Sequence, residues 1–518
     1  MKEIVNHTID GSGNIYMTYG NGSKLNNFKT NINSLDTAQT FSNSAILKLD
    51  KNRKPEWAFY LGSKTIITGI VSDSGSIYIS GYTEETGLSK GSNIHQSVIG
   101  GKLDMFIARL LPDGDVNWLT YFGGTENDGV YPGSVDFETL AINKNGRLSL
   151  IAQTQNYSGL ATTGAFMQSH TPSINYVRVY VHANFNTSNG SLIWSTYSGI
   201  EEEAGNAFTP LIDDNDNVYH LGYIEKAKQS NIKFTMDNIS KGDVSGIVLK
   251  FDKNGKKVFG KYIDPGADKF LYINGGTITK NGDLVIVGST NNDTFLVEAP
   301  KSGYFNPKGT YNGYTMKLNS KMEIEWYCYN SQPGFDMNRR VVELPSGHYL
   351  TTNIAFKHSE KKGFRKNCST TDEFDVDWSK TPAYPKIVCT TVGEIHHNGI
   401  FLSNYSSESP GIIDAEKIKY SEYYNTVFVS GTSNYDGQVS PNIGGATNFI
   451  KNGYQTTFNY PANNSTLGLN GVISEFKAET DTLLNIFPKS FWPLVIWPDS
   501  TGKLSIDNYD IYPTKDKK

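Results

Sequence analysis

Short apolar stretches with a period of two recur along the whole chain, separated by turns rich in Asp, Asn and Gly. No long stretch carries the three-to-four-residue apolar spacing of an amphipathic helix. One phrase returns: an apolar strand, an Asp/Asn–Gly turn, then a strand alternating around Tyr or Val that often ends in Gly. It occurs at residues 9–16, 71–83, 142–154, 212–223, 279–290, 344–353 and 423–433. After a variable polar connection a second phrase follows each one, at 44–63, 104–124, 179–199, 246–263, 314–330, 385–406 and 471–489. It is again a hairpin, and its last strand often carries Trp and Tyr: Trp57/Tyr60, Trp118/Tyr121, Trp194/Tyr197 and Trp326/Tyr329.

Two hairpins per unit predict a four-stranded antiparallel sheet, too small to be stable alone. Packed face to face around an axis, such sheets bury both alternating faces and leave only short edges. The expected fold is therefore all-β, a β-propeller of seven four-stranded blades with long loops, with eight blades as the alternative. The expected blades are 1–65, 66–135, 136–206, 207–272, 273–338, 339–416 and 417–490, followed by a C-terminal extension, 491–518, of extra strand and tail. A Trp and a Tyr repeated at one place in the unit predict inter-blade packing, because large aromatics dominate buried area where two faces meet. The turns have a mechanism as well: Asp or Asn with Gly accommodates the positive φ of a tight hairpin.

At Trp118-Leu119-Thr120-Tyr121-Phe122-Gly123-Gly124, with Asp128 behind it, the chain resembles the bacterial SBBP family of β-propeller repeats. Residues 194–199 repeat that phrase, and Thr162–Ser169 is similar to the family's Thr-x-Gly-Ala-Phe-Gln stretch. The sixth unit departs most, with an insertion around 368–385. The resemblance implies a secreted or cell-surface scaffold with recognition roles and no shared catalytic site.

Composition narrows the classes. With 47 basic and 52 acidic residues the net charge is −5, which argues against a nucleic-acid partner. Gly (50), Tyr (31) and Phe (26) are abundant, which argues against disorder and coiled coil. No run approaches the ~18 apolar residues of a membrane span, and the opening MKEIVNHTIDGSGNIY contains no basic-then-apolar secretory signal. A processed form is therefore suspected. Three cysteines allow one bridge, Cys368 with Cys389, across the sixth-unit insertion.

The chain has no H-E-x-x-H, G-x-S-x-G or Walker loop, so no catalytic residue is assigned and the expectation is a protein that is not an enzyme. Three groups of binding candidates remain. Asp128, Asp268 and Asp336 follow the outer strands of the second, fourth and fifth units, where they either cap their own turns or form an acidic mouth on the axis. Tyr157, Phe166, Tyr304, Tyr435 and Tyr454 lie on the long connections, where a rigid scaffold usually carries recognition, and Trp378 lies in the insertion. Asp213, Asn215 and Asn217 place oxygens at alternate positions, as calcium loops do, but coincide with a hairpin that needs them for backbone reasons. No cofactor is expected, calcium being the one ion the pattern admits.

The functional expectation is a non-catalytic propeller that binds a protein partner or a glycan through loops on one face, as part of a larger surface assembly. A propeller-type glycan hydrolase or lyase and a phage or virion adsorption component are the alternatives.

Overall fold

The computed structural model describes residues 4–19, 44–62, 64–73, 75–129, 138–201, 207–292, 301–304, 311–330, 334–357, 387–395, 401–406, 414–434, 469–477 and 492–495. Their regular secondary structure is β throughout, apart from one short 3₁₀ turn, Lys226–Asn231. Among them are seven sheets, each drawn from one continuous stretch of chain. The first contains β1 (Ile4–Ile9), β2 (Ile15–Tyr19), β3 (Ala45–Leu49) and β4 (Pro55–Tyr60). The second contains β5 (Thr65–Asp73), β6 (Ser76–Thr83), β7 (Asp104–Leu110) and β8 (Val116–Phe122). The third contains β9 (Leu140–Asn143), β10 (Arg147–Thr154), β11 (Val179–Asn186) and β12 (Leu192–Glu201). The fourth contains β13 (Ala207–Ile212), β14 (Val218–Glu225), β15 (Val244–Phe251) and β16 (Lys257–Ile263).

The fifth sheet has β17 (Leu271–Ile278), β18 (Leu284–Thr290), β19 (Lys301–Tyr304), β20 (Asn312–Leu318) and β21 (Ile324–Asn330). The sixth has β22 (Gly334–Glu343), β23 (Tyr349–Lys357), β24 (Ile387–Ile395) and β25 (Phe401–Ser406). The seventh has β26 (Asp414–Ser421), β27 (Thr426–Asn434), β28 (Leu469–Lys477) and β29 (Trp492–Val495). Its outer strand thus comes from the stretch expected as a C-terminal extension. The fifth sheet differs from the four-stranded pattern, because β19 adds to its outer strand in parallel.

The first strands of the sheets touch in order: β1 with β5, then β9, β13, β17, β22, β26, and β26 back with β1. This is the ring of a β-propeller, with the first strand of each sheet innermost. Nearly every inner strand carries a bulge at one place, between Ile4 and Asn6, Ile67 and Gly69, Phe208 and Leu211, Ile273 and Gly275, Asn338 and Arg340, and Ala415 and Lys417. A bulge bends and twists its strand. It also explains the glycine that closes the repeat phrase: Gly81 sits opposite the bulged segment, where a Cβ would lie 1.9 Å from the Ile66 carbonyl oxygen.

The tryptophans lie between sheets. Trp57, Trp118, Trp194 and Trp326 are all buried. Trp57 Nε1 donates to the Pro112 carbonyl and Trp118 Nε1 to the Thr187 carbonyl, both at 3.0 Å and both in the hairpin of the following sheet. Trp326 packs against Tyr349 of the sixth sheet at 5.6 Å between ring centroids. Each indole therefore joins one sheet to the next, and each adds large apolar burial of the kind that stabilises by roughly 25 cal/mol per Å².

The hairpins repeat one device. In six of them among the described residues, an Asp or Asn Oδ1 accepts from the backbone N–H groups two and four residues on: Asp10, Asp50, Asn143, Asp213, Asp252 and Asn319. The residue three on has positive φ in every case, whether Gly13, Gly146 and Gly255 or Arg53, Asp216 and Met322. The side-chain bonds hold the turn even where the residue is not glycine.

Candidate functional site

In each meander the short hairpins emerge on one face of the ring, and the long connections from second to third strand emerge on the other. Three of these connections are described in full: 84–103, 155–178 and 226–243. Each first runs along the outer strand of its own sheet. Lys90 exchanges backbone bonds with Leu119, Thr162 donates its N–H to the Ser195 carbonyl, and Asp237 pairs with Gly260. These bonds cover the open edge of the sheet, which would otherwise invite pairing with another chain. The parallel strand β19 occupies the same connection in the fifth sheet.

The candidate aromatics belong to this covering. Phe166 donates its N–H to the Gly255 carbonyl at 2.9 Å, and its ring meets Phe234 edge-on at 5.3 Å. Tyr157 OH donates to the Val177 carbonyl at 2.7 Å, and its ring lies near His170. Both are half-buried anchors rather than presented side chains. Tyr304 lies on β19, its backbone paired with Asn330. Tyr435, Tyr454 and Trp378 lie outside the described residues, as does Cys368.

After the covering run, each connection returns to its third strand, and a carboxylate holds the return. Asp104 accepts from Gly100 N at 2.8 Å, Gly101 N at 3.1 Å and Gln96 Nε2 at 3.1 Å. Glu201 accepts from Ser173 N at 2.7 Å, from the Ser173 hydroxyl, and from His170 Nε2 at 3.0 Å. Burial pushes the Glu201 carboxyl up, but the bonds from Ser173 and His170 outweigh it and hold the group below its ordinary range. Asp264 accepts from Lys241 N and Gly242 N, both at 3.0 Å.

Just beside these anchors lie the exposed apolar residues. Val98 (69% exposed), Ile174 (51%), Tyr176 (83%) and Ile239 (83%) sit at the same place in three consecutive sheets. Their backbones are held too: Gln96 Nε2 donates to the Val98 carbonyl and Gln155 Nε2 to the Tyr176 carbonyl, both at 2.8 Å. None of these four was singled out in the sequence. The available signal was weak, an apolar residue within an otherwise polar stretch such as Thr171-Pro172-Ser173-Ile174-Asn175-Tyr176.

The three aspartates do not form one set. Asp128 is buried, 1% exposed, and its carboxylate accepts from Gly124 N at 2.6 Å and from both-oxygen contacts with Asn156 Nδ2 at 3.0 and 2.9 Å. It caps its own turn and pins the second sheet to the third, so it does not present an acidic mouth. Burial pushes its pKa up to about 6, against the pull of these bonds. Asp268 is exposed in a turn at φ 59°, while Asp264 makes the capping bonds of that connection. Asp336 lies in the backbone of β22 opposite Ala355, and its side chain falls outside the described residues.

The calcium candidates form a closed hairpin. Asp213 Oδ1 accepts from Asn215 N and Asn217 N, and Oδ2 accepts from Asn217 Nδ2 at 2.8 Å and Tyr219 OH at 3.2 Å. Asp10 makes the same four bonds to Ser12, Asn14 and Tyr16. No group of three or more His, Cys, Asp or Glu side chains suited to a metal occurs among the described residues.

Near the axis the described charges are mainly basic. Lys417 of β26 reaches the Ile70 carbonyl of β5 at 2.9 Å and the Glu138 carboxylate just before β9, crossing from the seventh sheet to the second and third. Lys419, two residues on, meets Thr8 Oγ1 of β1 at 2.6 Å and Ser72 Oγ of β5 at 3.3 Å. His7 Nδ1 lies 2.7 Å from Ser430 Oγ, and burial, reinforced by both lysines, pushes the ring well below its usual pKa. These contacts join the last sheet to the first.

No family model matches the chain, so its likeness to SBBP repeats rests on its own motifs, and no curated protein matches it either. Its shape is similar to several solved structures at low identity. The β-propeller domain of the Trilobed protease from Pyrococcus furiosus is 8% identical with a TM-score of 0.36, over 83% of this chain and 89% of that one. A protein of unknown function from Bacteroides caccae is 11% identical with a TM-score of 0.33, over 70% and 90%. Polysaccharide lyase Uly1 is 9% identical with a TM-score of 0.37, over 81% and 84%. No helix among the described residues is long and apolar enough to cross a membrane.

Proposed function

We propose that this propeller is a non-catalytic recognition scaffold that binds a protein partner or a glycan at the face where the long connections return. One observation supports the reading: exposed Val98, Ile174, Tyr176 and Ile239 recur at one structural position in three consecutive sheets, each within three residues of a backbone N–H that a carboxylate holds, at Gly100, Ser173 and Lys241. Of the six large apolar residues exposed among the described ones, four are these. Apolar and aromatic side chains on a rigid base bind at low entropic cost, the tyrosine above all. A surface or secreted setting belongs to this reading through the repeat resemblance alone.

The test is a glycan array run beside chemical cross-linking to native membranes, using wild type and a Tyr176→Ser/Ile239→Ser variant. The reading expects a defined ligand for wild type, at least tenfold weaker binding for the variant, and the same melting temperature. Equal binding by both proteins would refute the site, and turnover of a bound glycan would refute the non-catalytic reading.

A further inference from the structure

Where the seventh, first and second sheets meet, the hydroxyl groups run in one direction. Ser72 Oγ donates to the Ile9 carbonyl at 2.9 Å, so in its 2.9 Å contact with Thr8 Oγ1 it accepts. Thr8 Oγ1 has then used its only hydrogen, and it accepts from Lys419 Nζ. Both hydroxyls therefore offer lone pairs to this lysine. An amine with two hydrogens satisfies both and keeps its own lone pair. An ammonium would hold a third hydrogen, which no described protein group accepts and only solvent could take.

No carboxylate among the described residues forms an ion pair with Lys419. Glu138 is taken by Lys417, and both oxygens of Asp10 are bonded within their own hairpin. The remaining titratable neighbour, His7, is buried and held neutral. What faces Lys419 most closely in charge is Lys417, on the same side of the same strand. A lysine that is desolvated and set beside another cation is the arrangement that activates an amine as a nucleophile. Part of its surface still reaches solvent.

We propose that Lys419 is a carbonyl-reactive amine on the propeller axis, at which a small aldehyde is captured as an imine. Its nitrogen lone pair attacks the carbonyl carbon and forms the C–N bond, while the carbonyl π pair moves to oxygen. A proton passes from nitrogen to that oxygen to give the carbinolamine, which loses water to leave C=N. Amine and aldehyde become imine and water, with no change of oxidation state. Burial first, and Lys417 next, bring the Lys419 pKa down to about 7, with Glu138 and Asp10 opposing. This proposal is independent of the loop face.

The test uses the full chain with limiting ¹³C-formaldehyde and cyanoborohydride at pH 7, followed by peptide mapping. A free lysine side chain, of pKa about 10.4, is neutral to less than about one part in a thousand at that pH. Exposed Lys144, which pairs with Asp214, is the internal reference for labelling. The weaker nucleophilicity of a lower-pKa group offsets part of the advantage. Lys419 should be labelled about tenfold faster than Lys144, with a rate that rises through a midpoint near pH 7. Labelling no faster than Lys144, or a midpoint above about pH 9, would overturn the proposal. A folded Lys417→Met variant, checked by its melting curve, should label Lys419 several-fold more slowly at pH 7. An unchanged rate would refute the part assigned to Lys417.

Discussion

The six-membered edge of Trp118 lies directly over Gly190: a Cβ on that glycine would sit 2.6 Å from the indole Cε3. Trp118 belongs to the outer strand of the second sheet, and Gly190 to the last hairpin of the third. The same pairing joins Trp57 to Gly114 and Trp194 to Gly255.

Gly190→Ala should therefore be costly twice, once for its φ of +72° and once for the overlap with Trp118. We expect a loss of about 2–4 kcal/mol by denaturant unfolding. Gly75→Ala, at φ +79° with nothing within 4 Å, should cost only about 1 kcal/mol. Equal losses would show that the indole is not packed as described.

Asp128 sets a pH dependence. Its folded pKa, about 6, lies above the ordinary value of 3.8, so the folded state binds the proton more tightly than the unfolded chain. Stability from this group is full below about pH 4 and falls as pH rises to about 6, by up to roughly 3 kcal/mol. Asp128→Asn should flatten the unfolding free energy over that interval. A wild-type curve that rises from pH 4 to 6, with no change in the variant, would contradict this.

The two kinds of loop aromatic should part company. Phe166→Ala removes a ring packed between sheets and should destabilise by about 2–3 kcal/mol. Tyr176→Ser removes a ring that is 83% exposed and should change stability by less than about 0.5 kcal/mol. Thermal melts of the two variants distinguish an anchor from a presented side chain.

Asp213 should behave as a turn residue. All four of its bonds go to protein donors, so adding calcium or a chelator should leave the melting temperature where it was. Asp213→Ala strips the hairpin and leaves Tyr219 OH without this acceptor, a loss of about 1–3 kcal/mol. A calcium-dependent shift of several degrees would restore the ion-site reading.

Much of the architecture was legible because it is written locally. An Asp or Asn that accepts from the N–H groups two and four residues on needs only five consecutive positions, so each hairpin was visible in the chain. The glycine that closes each phrase and the repeated Trp were visible for the same reason, although the bulge opposite Gly81 that requires the former was not. Contacts between distant stretches left no such trace. Lys417 and Glu138 are 279 residues apart, and no spacing rule predicts their meeting on the axis. Phe166 and Tyr157 stand among the sequence's binding candidates because composition cannot tell a side chain that presents itself from one that fastens its own loop. For the aspartates, the repeat placed Asp128 and Asp268 alike, but the capping bonds passed to Asp264 in the fourth sheet.

The first and last sheets share no strand, and each is completed from its own stretch of chain. Among the described residues the seam between them therefore has no backbone ladder and is bridged by side chains such as His7 with Ser430 and Lys419 with Thr8. Mechanically the described strands make a split washer rather than a clasped bracelet. A pull across that gap should part it before any blade unravels, and moving the cut to another pair of neighbouring sheets should preserve the disc.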